Sequence, residues 1–366
     1  MRNNVFKTFH SGQAVFFLML FICFIFAAAV LKFASSVILP FTIAALLSSA
    51  MYPLVRIMDK IKVHRYISIF LVVIIIVTGL YVFGMVLFSS GKMVAAQYPK
   101  YESRLTEIYI WIANVFELPY NQDISFGANL WGQLGIRNWV RDFTFSFSNS
   151  VVSFVSDAVI VVLFVVFILL EANHFKDKLD TAFENRSERI NKMGHDVMSQ
   201  VTRYLTAKFL ISLANGIIFA VSFYFVGLEF AFVWGVIQFL FNFIPNLGSI
   251  AAGVAISFFA LLQFWPDPAP IIIIVSIILF VNLILCNIFD PKIIGDHVGI
   301  SPLMILVSLA IWGWIWGFAG MVLAVPMTVI IKIVCENIPI MEPVSIILGS
   351  RKSVQVKKLE KEKQES

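Results

Sequence analysis

Two interruptions in otherwise apolar sequence carry the groups best suited to handling a solute. The first reads Ile244-Pro245-Asn246-Leu247-Gly248, with Gln238 and Asn242 just upstream. A proline there frees backbone groups inside apolar surroundings, and a helix end at that depth offers its dipole and bare carbonyls to a polar solute or ion. Gln238, Asn242 and Asn246 add neutral donors and acceptors. A proline kink inside a packed helix is the alternative reading. The second interruption holds Gly313, Gly317 and Gly320, with Trp312, Trp314 and Trp316 between and around them. Their small-residue spacing also favours close helix contact. Asn282 and Asn287, on the span between, could bond across to either break or join helices. Neutral amides of this kind suit an uncharged, hydroxyl-rich solute.

Three acids are candidates for coupling transport to a cation or proton: Asp157, Glu229 and Asp290. Asp157 falls inside a predicted span, where a carboxylate costs about 2.5–3.5 kcal/mol and usually faces a cavity or partner. Its bland alternative is a bond to Ser153 or Ser156 near the interface. Glu229 lies where a span meets the first broken segment and reads equally as an interfacial acid or helix-start residue. Asp290-Pro291 is a good turn at the end of a span.

Enzyme chemistry finds no support. The sequence has no glycine-rich phosphate loop with lysine, no paired histidine and acid at metal spacing, and no aspartate-rich diphosphate motif. No cofactor or metal is expected. Cys23, Cys286 and Cys335 are scattered through apolar sequence and read as packing residues. Without a nucleotide motif, any uphill transport is secondary, driven by an ion gradient.

These residues need a membrane framework to position them. The chain has 366 residues, is 60% hydrophobic and only 13% charged, with mean hydropathy +0.89. Soluble domains run about 25% charged, so the fold class is an all-α polytopic membrane protein. The net charge of +5 sits in short loops and a tail, which is the positive-inside pattern rather than a nucleic-acid surface. Spans are predicted at 14–31, 34–55 and 67–90, giving a three-span unit over 1–90. Arg56, Lys60, Lys62 and Arg65 put the loop after the second span in the cytoplasm, and the N-terminus with it. Ala27-Ala28-Ala29 only faintly resembles a cleavage site, so the first span reads as uncleaved. Residues 91–149 form an extracytoplasmic amphipathic segment, expected to lie on the headgroups with its aromatics as anchors. Residues 150–208 hold a fourth span and a charged, helical cytoplasmic loop. The region 209–335 carries the paired breaks, and 336–366 is a partly disordered cytoplasmic tail.

Each broken segment, Phe230 to Gln263 and Ser301 to Val334, runs about 34 residues and would be about 51 Å long as one helix. The hydrocarbon core is about 30 Å thick. Two topologies fit: six full transmembrane helices plus two re-entrant hairpins, or eight spans with two long bent helices. Both leave the termini in the cytoplasm. They differ in where Asp290 to Gly299 faces, and Lys292 favours the cytoplasm. A span and a broken segment, repeated, make an inverted repeat in the hairpin version. Paired interruptions of that kind point to a transporter's binding site.

The motifs around the breaks resemble a known family. Asn215-Gly216, Gly227-Leu228, Gly235 and Ile244 to Gly248 are similar to the autoinducer-2 exporter family of bacterial permeases. So are Asp290-Pro291-Lys292-Ile293-Ile294-Gly295, Gly299 to Leu303, Trp312-Gly313-Trp314, Gly317 to Met321 and Ala324-Val325-Pro326. The layout agrees over the whole chain, and the specific residues lie between about 204 and 335. The resemblance implies a solute pathway that takes in Asp290, Pro291 and Pro326 besides Asp157, Gln238, Asn242, Pro245, Asn246, Gly248, Asn282, Gly313, Gly317 and Gly320. It implies export of a small polar metabolite from a bacterial inner membrane, with proton or sodium antiport known as a proposal for some members. At the position of Asn246 the family pattern leads one to expect an aromatic or small residue, so the cargo need not be the family's namesake. Three readings follow: an exporter, a sodium (or lithium)/proton antiporter, and a non-transporting scaffold that docks a partner on 171–208. Homo-oligomerisation stays open.

Overall fold

The computed structural model describes residues 11–116, 156–285 and 299–350, apart from some positions between 173 and 186. Its elements are helical. Helix α1 is Ser11–Phe33, α2 Ser35–Lys60, α3 Arg65–Val115, α4 covers 156–172, and α5 is Ser187–Val226. After them come α6 Ala231–Phe241, α7 Leu247–Phe264, α8 Pro268–Ile284, α9 Pro302–Asn337 and a short α10, Glu342–Leu348. Five described helices are long and apolar enough to cross a membrane, and shorter apolar ones accompany them. The outer surface carries many exposed large apolar side chains, as a lipid-facing surface must. This is an all-α polytopic membrane protein.

Local chemistry sets the helix starts. Asp267 accepts a hydrogen bond from the Ala269 N–H at 3.1 Å and is followed by Pro268 at the first helical position, so α8 begins there. Ser301 and Pro302 open α9 in the same order, with Ser301 in extended conformation.

Both broken segments double back. In the first, Phe230 and Trp234 at the start of α6 pack on Phe259 near the end of α7, with ring centroids 5.7 and 5.2 Å apart. Gln263 then ties the two feet together, accepting from the Glu229 N–H at 2.7 Å and donating to the Gly227 carbonyl at 2.8 Å. In the second, Ser308 donates to the Ala324 carbonyl at 2.9 Å and meets the Thr328 hydroxyl, across a break at Trp316-Gly317. Neither segment is a kinked straight span; each is a helical hairpin.

The hairpins point at one another. Hairpin 1 has its feet at the C-terminal end of α5 and its tip beside Ser212, about a third of the way back along that helix. Hairpin 2 has its foot, Ile300, in one buried cluster with Val201 and Tyr204 in the N-terminal half of α5. Its tip reaches Ile244 in the same cluster.

Two helices run across boundaries drawn from the sequence. Helix α3 runs unbroken for 51 residues, about 76 Å, through position 90. Its far part is held against hairpin 1, because Tyr101 is buried on Phe259 (5.3 Å) and Trp111 meets Trp265 (5.1 Å). Likewise the charged segment from Ser187 and the fifth span form one 40-residue helix. The remainder of 91–149 lies outside the described residues.

Among the described residues three cores hold the helices together. The first joins α1, α2, α5 and α9. The second joins the C-terminal half of α5 to α6, α7 and α8. The third joins α2, α3 and α4, and there the Arg65 guanidinium donates to the Leu169 carbonyl at 2.6 Å. That bond sets the start of α3 beside the end of α4.

Candidate functional site

The site grows from one buried face of α5. Lys208, Ser212 and Asn215 recur at helical spacing, so they share that face, and all three are buried. The partner face on α6 carries Gln238 and Asn242, again four apart and buried. Ser249, on the first turn of α7, closes the group. The two helices can approach because glycines line their crossing. A Cβ on Gly216 would sit 2.8 Å from the Gly235 carbonyl, and one on Gly235 would sit 2.6 Å from Ala220 Cβ.

The hydrogen bonds are incomplete. Asn242 Nδ2 donates to Ser212 Oγ at 2.9 Å, and the Ser249 hydroxyl lies 3.5 Å from Asn242 Oδ1. Asn215 and Gln238 are 0% exposed, yet neither amide oxygen nor amide nitrogen has a hydrogen-bond partner among the described residues. Each buried amide group left unmade costs about 1–3 kcal/mol. Four such atoms beside a hydroxyl and a third amide make a surface that gains by taking up something polar.

The tip above this cluster is shaped by close approach. A Cβ on Gly248 would lie 1.8 Å from the Phe241 carbonyl oxygen and 3.1 Å from Ile244 Cβ. In hairpin 2, a Cβ on Gly320 would lie 1.9 Å from the Trp312 carbonyl oxygen and 3.1 Å from Trp316 Cβ. Both breaks therefore depend on a glycine that lets the returning arm approach a carbonyl of the outgoing one. Each returning arm starts from a residue at positive φ, Asn246 at 59° and Gly317 at 60°. Asn246 is exposed at its tip, and Phe241 packs on Phe318 across the junction.

Comparison with known proteins now has a geometry to attach to. The model of a family described as AI-2E family transporter matches residues 16–340. The chain belongs to that family. Among the relatives of this AI-2E family chain, one from Borreliella burgdorferi is 28% identical over 321 residues, covering 87% of this chain and 86% of its own. It is named "Putative transport protein". An Escherichia coli relative, "AI-2 transport protein TqsA", is 27% identical over 320 residues, covering 87% and 91%. As a member of this family the protein is a multi-pass membrane transporter, and a transporter family rather than an enzyme family is what its relatives' names describe.

The candidates named from sequence fall into groups. Gln238, Asn242, Pro245, Asn246 and Gly248 gather at hairpin 1, with Gln238 and Asn242 inside the cluster. Gly313, Gly317 and Gly320 shape hairpin 2 itself rather than a contact between separate helices: Gly313 faces Met321 of the opposite arm, and Gly317 supplies the left-handed backbone. Pro326 is buried in the returning arm. Asn282 on α8 is half-buried, and its amide oxygen has no partner among the described residues. Asp157 sits apart, exposed on α4. Asp290, Pro291 and Asn287 lie outside the described residues.

Glu229 is engaged elsewhere, at the feet of hairpin 1. Its carboxylate pairs with Lys100 and accepts from the Tyr101 hydroxyl, both on α3. Partial burial works to raise its pKa, but the bonds from Lys100 and Tyr101 and the lysine charge outweigh that and hold it below the usual carboxylate range. Burial and the neighbouring carboxylate push the Tyr101 phenol far above its ordinary value, so it stays a donor.

Sequence reading missed Ser212, Asn215 as a site residue, Ser249 and Lys208. The signal was there: polar residues at 208, 212 and 215 repeat with the period of one helix face inside an apolar span. Single polar residues in a span read as helix glue until the facing amides on α6 are in view.

Proposed function

We propose that the protein is a secondary transporter that exports a small, uncharged, hydroxyl-rich metabolite across a bacterial inner membrane. The observation that carries this reading is the pair of fully buried, unpartnered amides, Asn215 and Gln238, beside Ser212, Asn242 and Ser249. Amides and hydroxyls both donate and accept, so a solute bearing several hydroxyls can satisfy them without a compensating charge. The opposed hairpins support a path from both sides, with helix ends and freed backbone at each tip. Asn246 supports it too: an exposed amide within the apolar region is favourable where water reaches it.

An autoinducer-2-type signal fits this chemistry, and a relative named for transport of that signal supports it. Coupling is to an ion gradient, proton or sodium. Both termini are cytoplasmic in this reading. The basic residues between α2 and α3 support that side, and the Arg65–Leu169 bond brings the end of α4 to the same level.

The test compares intracellular and extracellular autoinducer-2 in deletion and complemented cells, with Asn215→Leu and Gln238→Met as site variants. Deletion and both variants are expected to raise the inside-to-outside ratio. Equal ratios in all strains would remove this solute.

A further inference from the structure

The clasp at Glu229 joins two of the cores, at the end away from the α2–α5 packing of the first core. The first half of α3 belongs to the core shared with α2 and α4, through Ile69 and Val72. Hairpin 1 belongs to the core of α5 to α8, through Ala231, Ile256 and Ala260. The far part of α3 reaches from the former to the latter. It holds hairpin 1 by its feet at three levels: Lys100 and Tyr101 on the Glu229 carboxylate, the Tyr101 ring on Phe259, and Trp111 on Trp265.

The feet themselves form one body. Gln263 fastens the end of α7 to the turn at Gly227 and Glu229, and the four-residue turn 227–230 leaves α6 no freedom to slide along α5. The Gly216–Gly235 crossing locks them further along. A displacement of hairpin 1 against the α2–α4 core therefore has to pass through the α3 contacts.

We infer that Lys100, Tyr101 and Glu229 are positioning residues that latch hairpin 1 against the α3 arm, and that the latch must release for the tip of hairpin 1 to change its exposure. This rests on the transport reading for its purpose but not for its geometry. The ion pair is half in solvent, strong enough to bias a position and weak enough to be broken repeatedly. The tyrosine bond gives it direction, because the Tyr101 ring is fixed on Phe259.

The test puts a reporter cysteine at Leu247, exposed at the tip, in the full-length chain with Cys23, Cys286 and Cys335 changed to serine. Its labelling rate by a membrane-impermeant maleimide is measured in vesicles. Lys100→Glu and Glu229→Lys should each change that rate about 3- to 10-fold, from loss of one ion pair and a charge-assisted hydrogen bond. The double exchange, Lys100→Glu with Glu229→Lys, should return it to within about 2-fold. Tyr101→Phe should shift it in the same direction as the single charge variants. Unchanged rates in the single variants, or a double variant as altered as either single, would overturn the latch. Because labelling needs no solute, a latch that behaves as expected while autoinducer-2 export fails would refute the solute and leave the joint standing.

Discussion

The rings of Phe241 and Phe318 meet with their centroids 5.5 Å apart, which makes the last residue of α6 a direct neighbour of the first residue past the hairpin 2 break. Two segments about 75 residues apart in sequence thus bring their tips together. The junction is flanked by Ile244, Trp312 and Trp316 in one buried cluster, and the Trp316 indole N–H donates to the Leu31 carbonyl at 3.0 Å. Replacing Phe241 with alanine should weaken this junction. A cost of about 1–2 kcal/mol, the size of an aromatic pair with part of its buried area, is expected as a lower thermal midpoint in detergent. An unchanged midpoint would mean that the tips are not held to one another.

Gly248→Ala and Gly320→Ala should be severe and alike. Each added methyl would lie under 2 Å from a backbone carbonyl oxygen, so the tip must open. A loss of about 2 kcal/mol or more is expected, with poor yield of folded protein on size-exclusion chromatography. Gly317→Ala has free space but keeps φ at 60° and ψ at −139°, so it should cost about 1–3 kcal/mol through strain alone.

Replacing the unpartnered amides should separate stability from function. Gln238→Met removes two buried polar atoms with no partner while keeping the side-chain length. The protein should become more stable by about 1–3 kcal/mol and transport should fall. Parallel measurement of the thermal midpoint and of solute flux in proteoliposomes checks both. A variant that is less stable and fully active would mean that the amide is satisfied in the working protein.

Water should reach one residue of hairpin 1 and not another. A cysteine at Asn246 is expected to react with a hydrophilic thiol reagent at least about 10-fold faster than one at Gln238. Asn246 is exposed and Gln238 has no exposed surface. Equal rates would place both in the same environment.

The Glu229 clasp gives a pH window. Its folded pKa lies below the unfolded value of about 4.3, so its stabilisation is present above that value and is lost as pH falls through the folded pKa. The Tyr101 phenol is raised above its unfolded value of about 10. Its share is complete below that pH and is lost as pH rises through the folded value. Thermal midpoints should therefore fall at strongly acid pH, and Glu229→Gln should flatten the acid limb. An identical acid limb in that variant would show that other carboxylates control it.

Much of the architecture was legible in the chain. Length set against bilayer thickness showed that Phe230 to Gln263 and Ser301 to Val334 could not be straight spans. Proline, asparagine and glycine marked where each would turn. Sequence could not choose between hairpin and kink, because both leave the same residues apolar and the same charges at the ends. That choice depends on the ring contacts of Trp234 with Phe259 and the hydroxyl contact of Ser308 with Thr328, which join residues far apart in the chain.

The site was half legible. Gln238 and Asn242 stood out beside the break, whereas Ser212, Asn215 and Ser249 were single polar residues in apolar runs. Asp157 attracted notice because a charge in a span is costly, and the fold leaves it exposed on α4, away from the amide cluster. Glu229 read from sequence as an interfacial acid or a coupling acid, and only the fold brings Lys100 and Tyr101 of α3 onto its carboxylate.

Composition and periodicity by themselves determined a membrane protein with paired breaks and neutral polar groups beside them, because the lengths of the apolar runs are written in the sequence and can be set against the thickness of a bilayer. Only the tertiary structure decided that the hairpins oppose one another, that α5 presents a continuous polar face to α6, and that α3 grips hairpin 1 by its feet. Each of these is set by packing between elements, and backbone that must turn inside an apolar region is held where another helix covers it.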